Sequence, residues 1–161
     1  MTVRVAASID LTTDPDTAFA AVVDLPSQEK WIIATRLYPI EGPTSVPQGG
    51  SRMAAFTGIG SIGFLDTMTV TEYDPPHRWI TDKDGDLLRG VGIMQVDPLP
   101  GGCRVTWANE LELPFGLVGR LAWPLGRFVA QLGMQACLRR LAKQLQTGAL
   151  PIAARPEVTL A

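Results

Sequence analysis

The chain predicts an α+β domain: a curved antiparallel sheet built as a meander, two short helices after its first strand, and a long C-terminal helix. Three observations carry this. Strand-like alternation of apolar and polar residues begins at Val3, and after Leu11 it gives way to a stretch of helical period. The later strands are joined by short turns, Tyr73-Asp-Pro-Pro-His77, Asp84-Gly85 and Pro98-Leu-Pro-Gly-Gly102, which leave no room for crossover helices. Beyond residue 113 the period becomes helical again and holds to Gly148.

Val3, Val5, Ala7, Ile9 and Leu11 form one face of a half-buried strand. Thr13-Asp14-Pro15 then supplies a capping residue and a proline for a first helical turn. Ala18, Phe19, Val22 and Val23 make the apolar face of that short helix, and Asp24 to Trp31 reads as a turn and a second one. Gly42-Pro43 and Pro47-Gln-Gly-Gly mark loops. Strands follow near residues 51–57, 61–73, 78–84, 88–97 and 102–112. In the last segment Pro124 biases Trp123 away from helical geometry, so two arrangements fit: helices near 116–122 and 124–147, or one kinked helix. Gly148 ends either, and the tail with Pro151 and Pro156 reads as poorly ordered. The chain is thus one domain over residues 1–148 with a tail over 149–161.

Composition narrows the function classes. With 161 residues, 46% hydrophobic and 19% charged, the chain can bury a sizeable single core. It has no apolar run long enough to span a membrane and no signal-peptide pattern at its start. Cys103 and Cys137 lack metal-ligand spacing, so a reducing cytoplasm is the expected location and neither metal nor cofactor is expected. The net charge of −2 is asymmetric: residues 1–112 carry 8 Lys/Arg against 15 Asp/Glu, residues 113–161 carry 6 against one. An acidic chain without a basic-aromatic platform is not expected to bind nucleic acid.

The long helix holds an unusual stripe. Gly119, Ala122, Gly126, Ala130, Gly133 and Cys137 recur every three or four residues, on one helical face. Each glycine costs about 1 kcal/mol relative to alanine in a helix, so the stripe needs a reason. Either the helix sits close to the sheet, or space is left open; we favour a pocket. Met134, Leu138, Leu141 and Leu145 would close the core toward the helix end, leaving the void toward its start. A second stripe, Leu125, Phe128, Val129 and Leu132, joined by Val118 and Leu121 if the helix continues through Pro124, faces elsewhere. A monomer does not easily bury it, so it is expected to meet a second copy, with peripheral membrane contact the less favoured partner.

Few residues suggest chemistry. His77, the single histidine, sits in a turn and reads as solvated, and no catalytic residue is assigned. Gly58-Ile-Gly60 and Gly90-Val-Gly92 lack the setting of a phosphate loop and read as bends or close approaches in a sheet. Asp66 occupies the otherwise apolar register Ile62, Phe64, Met68, Val70. A bulge near Gly63 turning it outward is the preferred reading; the next is a polar cavity contact, with Arg36, Arg52 or Arg89 as partner, and a general acid or base comes last. The inward set expected to line a ligand site is Phe56, Met68, Trp79, Met94 and Trp107, with Gly126, Ala130, Gly133 and Met134 from the helix. Trp31 is expected to pin its short helix to the sheet rather than cap the cavity mouth.

This order of elements resembles the helix-grip fold of the START-like, or SRPBCC, superfamily of polyketide cyclase/dehydrase-like and lipid-transfer proteins. Ala7-Ser-Ile-Asp-Leu with Asp14-Pro-Asp-Thr-Ala-Phe19 is similar to that family's first strand and helix start. Val23-Asp-Leu25 with Trp31, Glu72-Tyr-Asp-Pro-Pro-His-Arg-Trp79 and Gly101-Gly-Cys-Arg-Val-Thr-Trp107 resemble its later turns and final strand, with Cys103 where threonine is usual. The resemblance covers roughly residues 3–147. It implies a hydrophobic small-molecule ligand, lipid-, sterol- or polyketide-like, held between sheet and C-terminal helix by a carrier or sensor. The alternative it implies is a cyclase or dehydratase-like enzyme acting in the same cavity.

Overall fold

A computed structural model describes residues 2–113 and 116–152. Its elements are β1 (Thr2–Leu11), α1 (Pro15–Val23), α2 (Leu25–Trp31), β2 (Thr35–Glu41), β3 (Arg52–Ile59), β4 (Ile62–Asp74), β5 (Arg78–Asp84), β6 (Arg89–Leu99), β7 (Gly102–Glu112) and α3 (Gly116–Gln146). The strands form one seven-stranded sheet in the order β1-β7-β6-β5-β4-β3-β2. Every neighbouring pair is antiparallel. The meander from β2 to β7 thus closes on the N-terminal strand, and α1 and α2 carry the chain from one edge of the sheet to the other.

The edge strand β2 is absent from the sequence expectation. It contains Pro39 and is largely exposed, so neither the donor pattern nor the apolar alternation of a central strand marks it. At the edge a proline needs no ladder partner, and β2 pairs only with β3.

Local chemistry sets the helix starts. Asp14 accepts a hydrogen bond from the Thr17 amide at 2.9 Å, with Pro15 at the first helical position. Asp24 caps α2 in the same way through the Ser27 amide at 3.2 Å. Trp31 is fully buried; its Nε1 donates to the Ala21 carbonyl and its ring meets Trp107 edge-on at 5.8 Å. It therefore pins α2 to α1 and to the sheet.

The core lies between the concave sheet face and three helical surfaces. Val70, Val96 and Val105 from the strands meet Phe19 and Val22 of α1 and Leu138, Leu141 and Leu145 of α3. The C-terminal half of α3 seals this core, whereas its N-terminal half is exposed over most of its circumference. α3 runs through Pro124 as one helix; the proline is exposed, so solvent can satisfy what the missing amide leaves unpaired.

Ordered packing also continues past Gly148. Leu150 is buried in the core, and the Ile152 amide donates to Ser27 Oγ at 2.9 Å. The tail expected from residue 149 is therefore part of the fold as far as Ile152, and 153–161 lie outside the described residues.

Candidate functional site

Where α3 leaves the core, a cavity of about 580 Å³ remains between its N-terminal half and the sheet. Pleating decides its walls. Inward-facing residues alternate along each strand, giving Phe64, Asp66 and Met68 on β4, Trp79, Thr81 and Lys83 on β5, and Trp107, Asn109 and Leu111 on β7. Trp123, Ala130, Gly133, Met134 and Cys137 close it from α3, and Ile32, Ile33 and Leu37 from the α2–β2 connection and β2. A Cβ at Gly133 would meet nothing within 4 Å, so the glycine leaves open space rather than a close helix-sheet contact.

Of the residues expected from sequence, Met68, Trp79, Met94, Trp107, Ala130, Gly133 and Met134 lie on this wall. Phe56 and Gly126 do not. Ala55 and Thr57 line the cavity, so the strand period puts Phe56 between them on the opposite sheet face, its ring against Gly63. Gly126 is exposed, and Trp123 Cε3 stands 3.8 Å from the place its Cβ would take.

The outward reading of Asp66 is overturned. No bulge interrupts β3–β4, whose register is continuous from Arg52↔Thr69 to Ile59↔Ile62; the irregularity of β4 lies between Val70 and Glu72, against β5. Asp66 therefore keeps the inward register and is only 3% exposed. Its partner is none of the three arginines considered. Lys83 Nζ lies 2.5 Å from Asp66 Oδ2, with the lysine side chain 13% exposed, while Arg52 pairs with Asp84 outside. Among the described residues Asp66 Oδ1 is buried without a hydrogen-bond partner, as is Trp79 Nε1, a cost of about 1–3 kcal/mol for each such group.

Lys83, Thr81 and Asn109 escaped the sequence reading, although they share strand parity with Trp79 and Trp107. Extending the alternation by one or two steps finds them; an apolar-only search discards them. Gly92 makes their approach feasible. A Cβ there would lie 2.8 Å from Thr81 Oγ1, 3.3 Å from Lys83 Cε and 3.4 Å from Asn109 Oδ1. The nearby Gly90 has φ +137°, and a Cβ on it would collide with the Glu110 carbonyl. Both glycines thus act as sites of close approach within the sheet.

Cys137 takes a sulfur-mediated hydrogen bond from the Ile33 amide at 3.4 Å, and burial pushes its thiol above the ordinary range. That disfavours the thiolate a nucleophile needs. His77 is exposed in its turn, away from the cavity. Among the described residues no group of three or more His, Cys, Asp or Glu side chains could hold a metal ion. No described helix is long and apolar enough to cross a membrane.

The outer face of α3 is the other notable surface. Leu125, Phe128, Val129 and Leu132, joined by Leu117, Val118 and Leu121, are each 56–75% exposed.

Comparison with known proteins agrees with this fold. The family model described as polyketide cyclase / dehydrase and lipid transport matches residues 2–146. A solved structure from Thermus thermophilus superposes with a TM-score of 0.72 at 18% identity, covering 92% of this chain and 100% of that one. One from Geobacillus kaustophilus gives 0.71 at 18% identity, over 91% and 97%. A Polyketide_cyc-like protein from Corynebacterium glutamicum gives 0.64 at 14% identity, over 97% and 99%. At these identities the structures speak for the fold alone. No curated protein matches the sequence.

Proposed function

Since the chain belongs to the polyketide cyclase/dehydrase and lipid transport family, we propose that it binds a lipid-, sterol- or polyketide-like molecule between its sheet and α3, as a carrier or sensor. The cavity of about 580 Å³ beneath Gly133 carries this reading. Its volume is in the range of small-molecule sites, and its walls are mainly apolar with a few polar groups. Met68, Met94 and Met134 add unbranched, adaptable side chains suited to loosely defined apolar shapes. Native mass spectrometry of freshly purified protein tests it. An apolar molecule retained by the wild type and lost from Gly133→Leu supports the reading; no retained molecule, and no uptake of added apolar compounds, rejects it.

A second reading has its own support. Asp66, Lys83 and Asn109 converge in the cavity, the arrangement a cyclase or dehydratase-like enzyme acting on an aromatic or polyketide-type substrate would need. Asp66→Asn abolishing turnover of a substrate while leaving its binding intact would decide for the enzyme.

As protein partner we propose a second copy of the chain, docked through Leu125, Phe128, Val129 and Leu132. Seven apolar side chains, each more than half exposed, lie on one face of α3 over four turns. An exposed apolar face of this kind marks an interaction surface, and it suits a self-complementary twofold contact. The free, buried thiols of Cys103 and Cys137 support residence in the reducing cytoplasm.

A further inference from the structure

We propose that the polar corner of the cavity, formed by Lys83, Asn109 and Thr81 over Gly92, recognises a hydroxyl group on an otherwise apolar ligand. This rests on the apolar-ligand reading above and names the ligand's polar end.

The first observation is convergence. Thr81 Oγ1, Lys83 Cε and Asn109 Oδ1 all lie within 3.4 Å of the one point that a Gly92 Cβ would occupy. Three polar side chains from two strands thus meet in a wall that is otherwise mostly apolar, over a residue with no side chain to separate them. The second observation is that their hydrogen-bonding capacity is only partly used. Lys83 spends one of its three ammonium protons on Asp66 Oδ2, and no other side-chain bond involves it among the described residues. Asn109 directs Nδ2 toward Met134 Sδ at 3.9 Å, leaving Oδ1 as an open acceptor. The corner therefore offers a strong donor and an acceptor on one stretch of wall.

Charge decides between ligand heads. Asp66 neutralises Lys83, so the corner has no net charge to offer. A ligand carboxylate would add a second negative charge near a carboxylate that is only 3% exposed. An ammonium group would crowd Lys83. A ketone accepts from Lys83 but has no hydrogen to donate to the Asn109 oxygen. A hydroxyl does both at once, accepting from Lys83 Nζ and donating to Asn109 Oδ1. Sites built to bond a hydroxyl discriminate strongly against analogues lacking it, because their own polar groups are then left unpaired. Asp66 is a positioning residue here: it holds the ammonium group and cancels its charge.

The test compares three probes on one aromatic frame, 2-naphthol, 2-methylnaphthalene and 2-naphthoate, titrated calorimetrically into the full chain. We expect 2-naphthol to bind at least ten-fold more tightly than 2-methylnaphthalene, with 2-naphthoate weakest. Asn109→Leu, which leaves the ion pair whole, should bring the naphthol-to-methylnaphthalene ratio close to one. The paired replacement Asp66→Leu with Lys83→Met should do the same without stranding a buried charge. Equal binding of 2-naphthol and 2-methylnaphthalene to the wild type overturns the hydroxyl reading and leaves the apolar cavity standing. Tightest binding of 2-naphthoate overturns it in favour of an anionic ligand. Failure of all three probes to bind removes both the hydroxyl reading and the apolar-ligand reading beneath it.

Discussion

Lys83 Nζ and Asp66 Oδ2 lie 2.5 Å apart on neighbouring strands, and both side chains stand in the wall of an apolar cavity instead of at the sheet surface. Removing one partner of such a pair leaves an uncompensated buried charge, whereas replacing both with apolar residues need not destabilise. Asp66→Ala and Lys83→Met should each lower unfolding stability by about 3–5 kcal/mol in urea titrations. The combined Asp66→Leu, Lys83→Met variant should recover most of that loss. Additive losses in the double variant would show that the pair is not coupled.

Gly133→Leu tests the cavity without disturbing the core. The position faces open space, so the new side chain fills volume instead of clashing. Leucine also favours the helix by close to 1 kcal/mol over glycine. Unfolding stability should rise or hold while affinity for apolar probes falls at least ten-fold, measured on the same preparation by thermal unfolding and calorimetry. Undiminished affinity would place ligands elsewhere.

The cap of α1 is sensitive to acid. The Thr17 amide hydrogen bond holds the Asp14 carboxyl below its ordinary 3.8. A depressed folded-state value means that the stabilisation is complete above 3.8 and is lost as pH falls through the lower folded value. Asp14→Ala should therefore cost about 1 kcal/mol at neutral pH, and the difference from wild type should shrink well below 3.8. A difference independent of pH would mean that the carboxylate is not the capping group in solution.

Phe128→Glu places a charge in the middle of the exposed α3 stripe. Sedimentation velocity of the wild type should show a dimer that this variant converts to monomer, with affinity of the cavity for 2-methylnaphthalene little changed, since Phe128 does not line it. A wild type that sediments as a monomer at high concentration would dismiss the second copy as partner.

The elements that could be read from sequence are those whose signals are local. Asp14-Pro15 starts α1 because a side-chain acceptor and a fixed φ act within one turn. The tight connectors at Pro75-Pro76, Asp84-Gly85 and Gly101-Gly102 fold the meander because each allows only a reversal between neighbours. β2 escaped because Pro39 and an exposed edge remove both strand signals. The site was half legible. Met68, Trp79, Met94 and Trp107 follow from apolar parity and Gly133 from the small-residue stripe, but Phe56 took the wrong parity in the uniformly apolar run from Met53 to Phe56, where period alone cannot choose a face. Asp66 was read as pointing away because a lone carboxylate in an apolar register is costly; its compensating cation is 17 residues away on the next strand.

By itself, then, the sequence determined the order of the elements other than β2, the antiparallel meander and the small-residue face of the last helix. Propensity, capping and turn geometry act over a few residues and are written along the chain. The tertiary structure decided which face of β3 points inward, that Lys83 neutralises Asp66, and that α3 leaves a cavity beneath Gly133. Those outcomes depend on register and sheet curvature, which bring together residues that no local pattern connects.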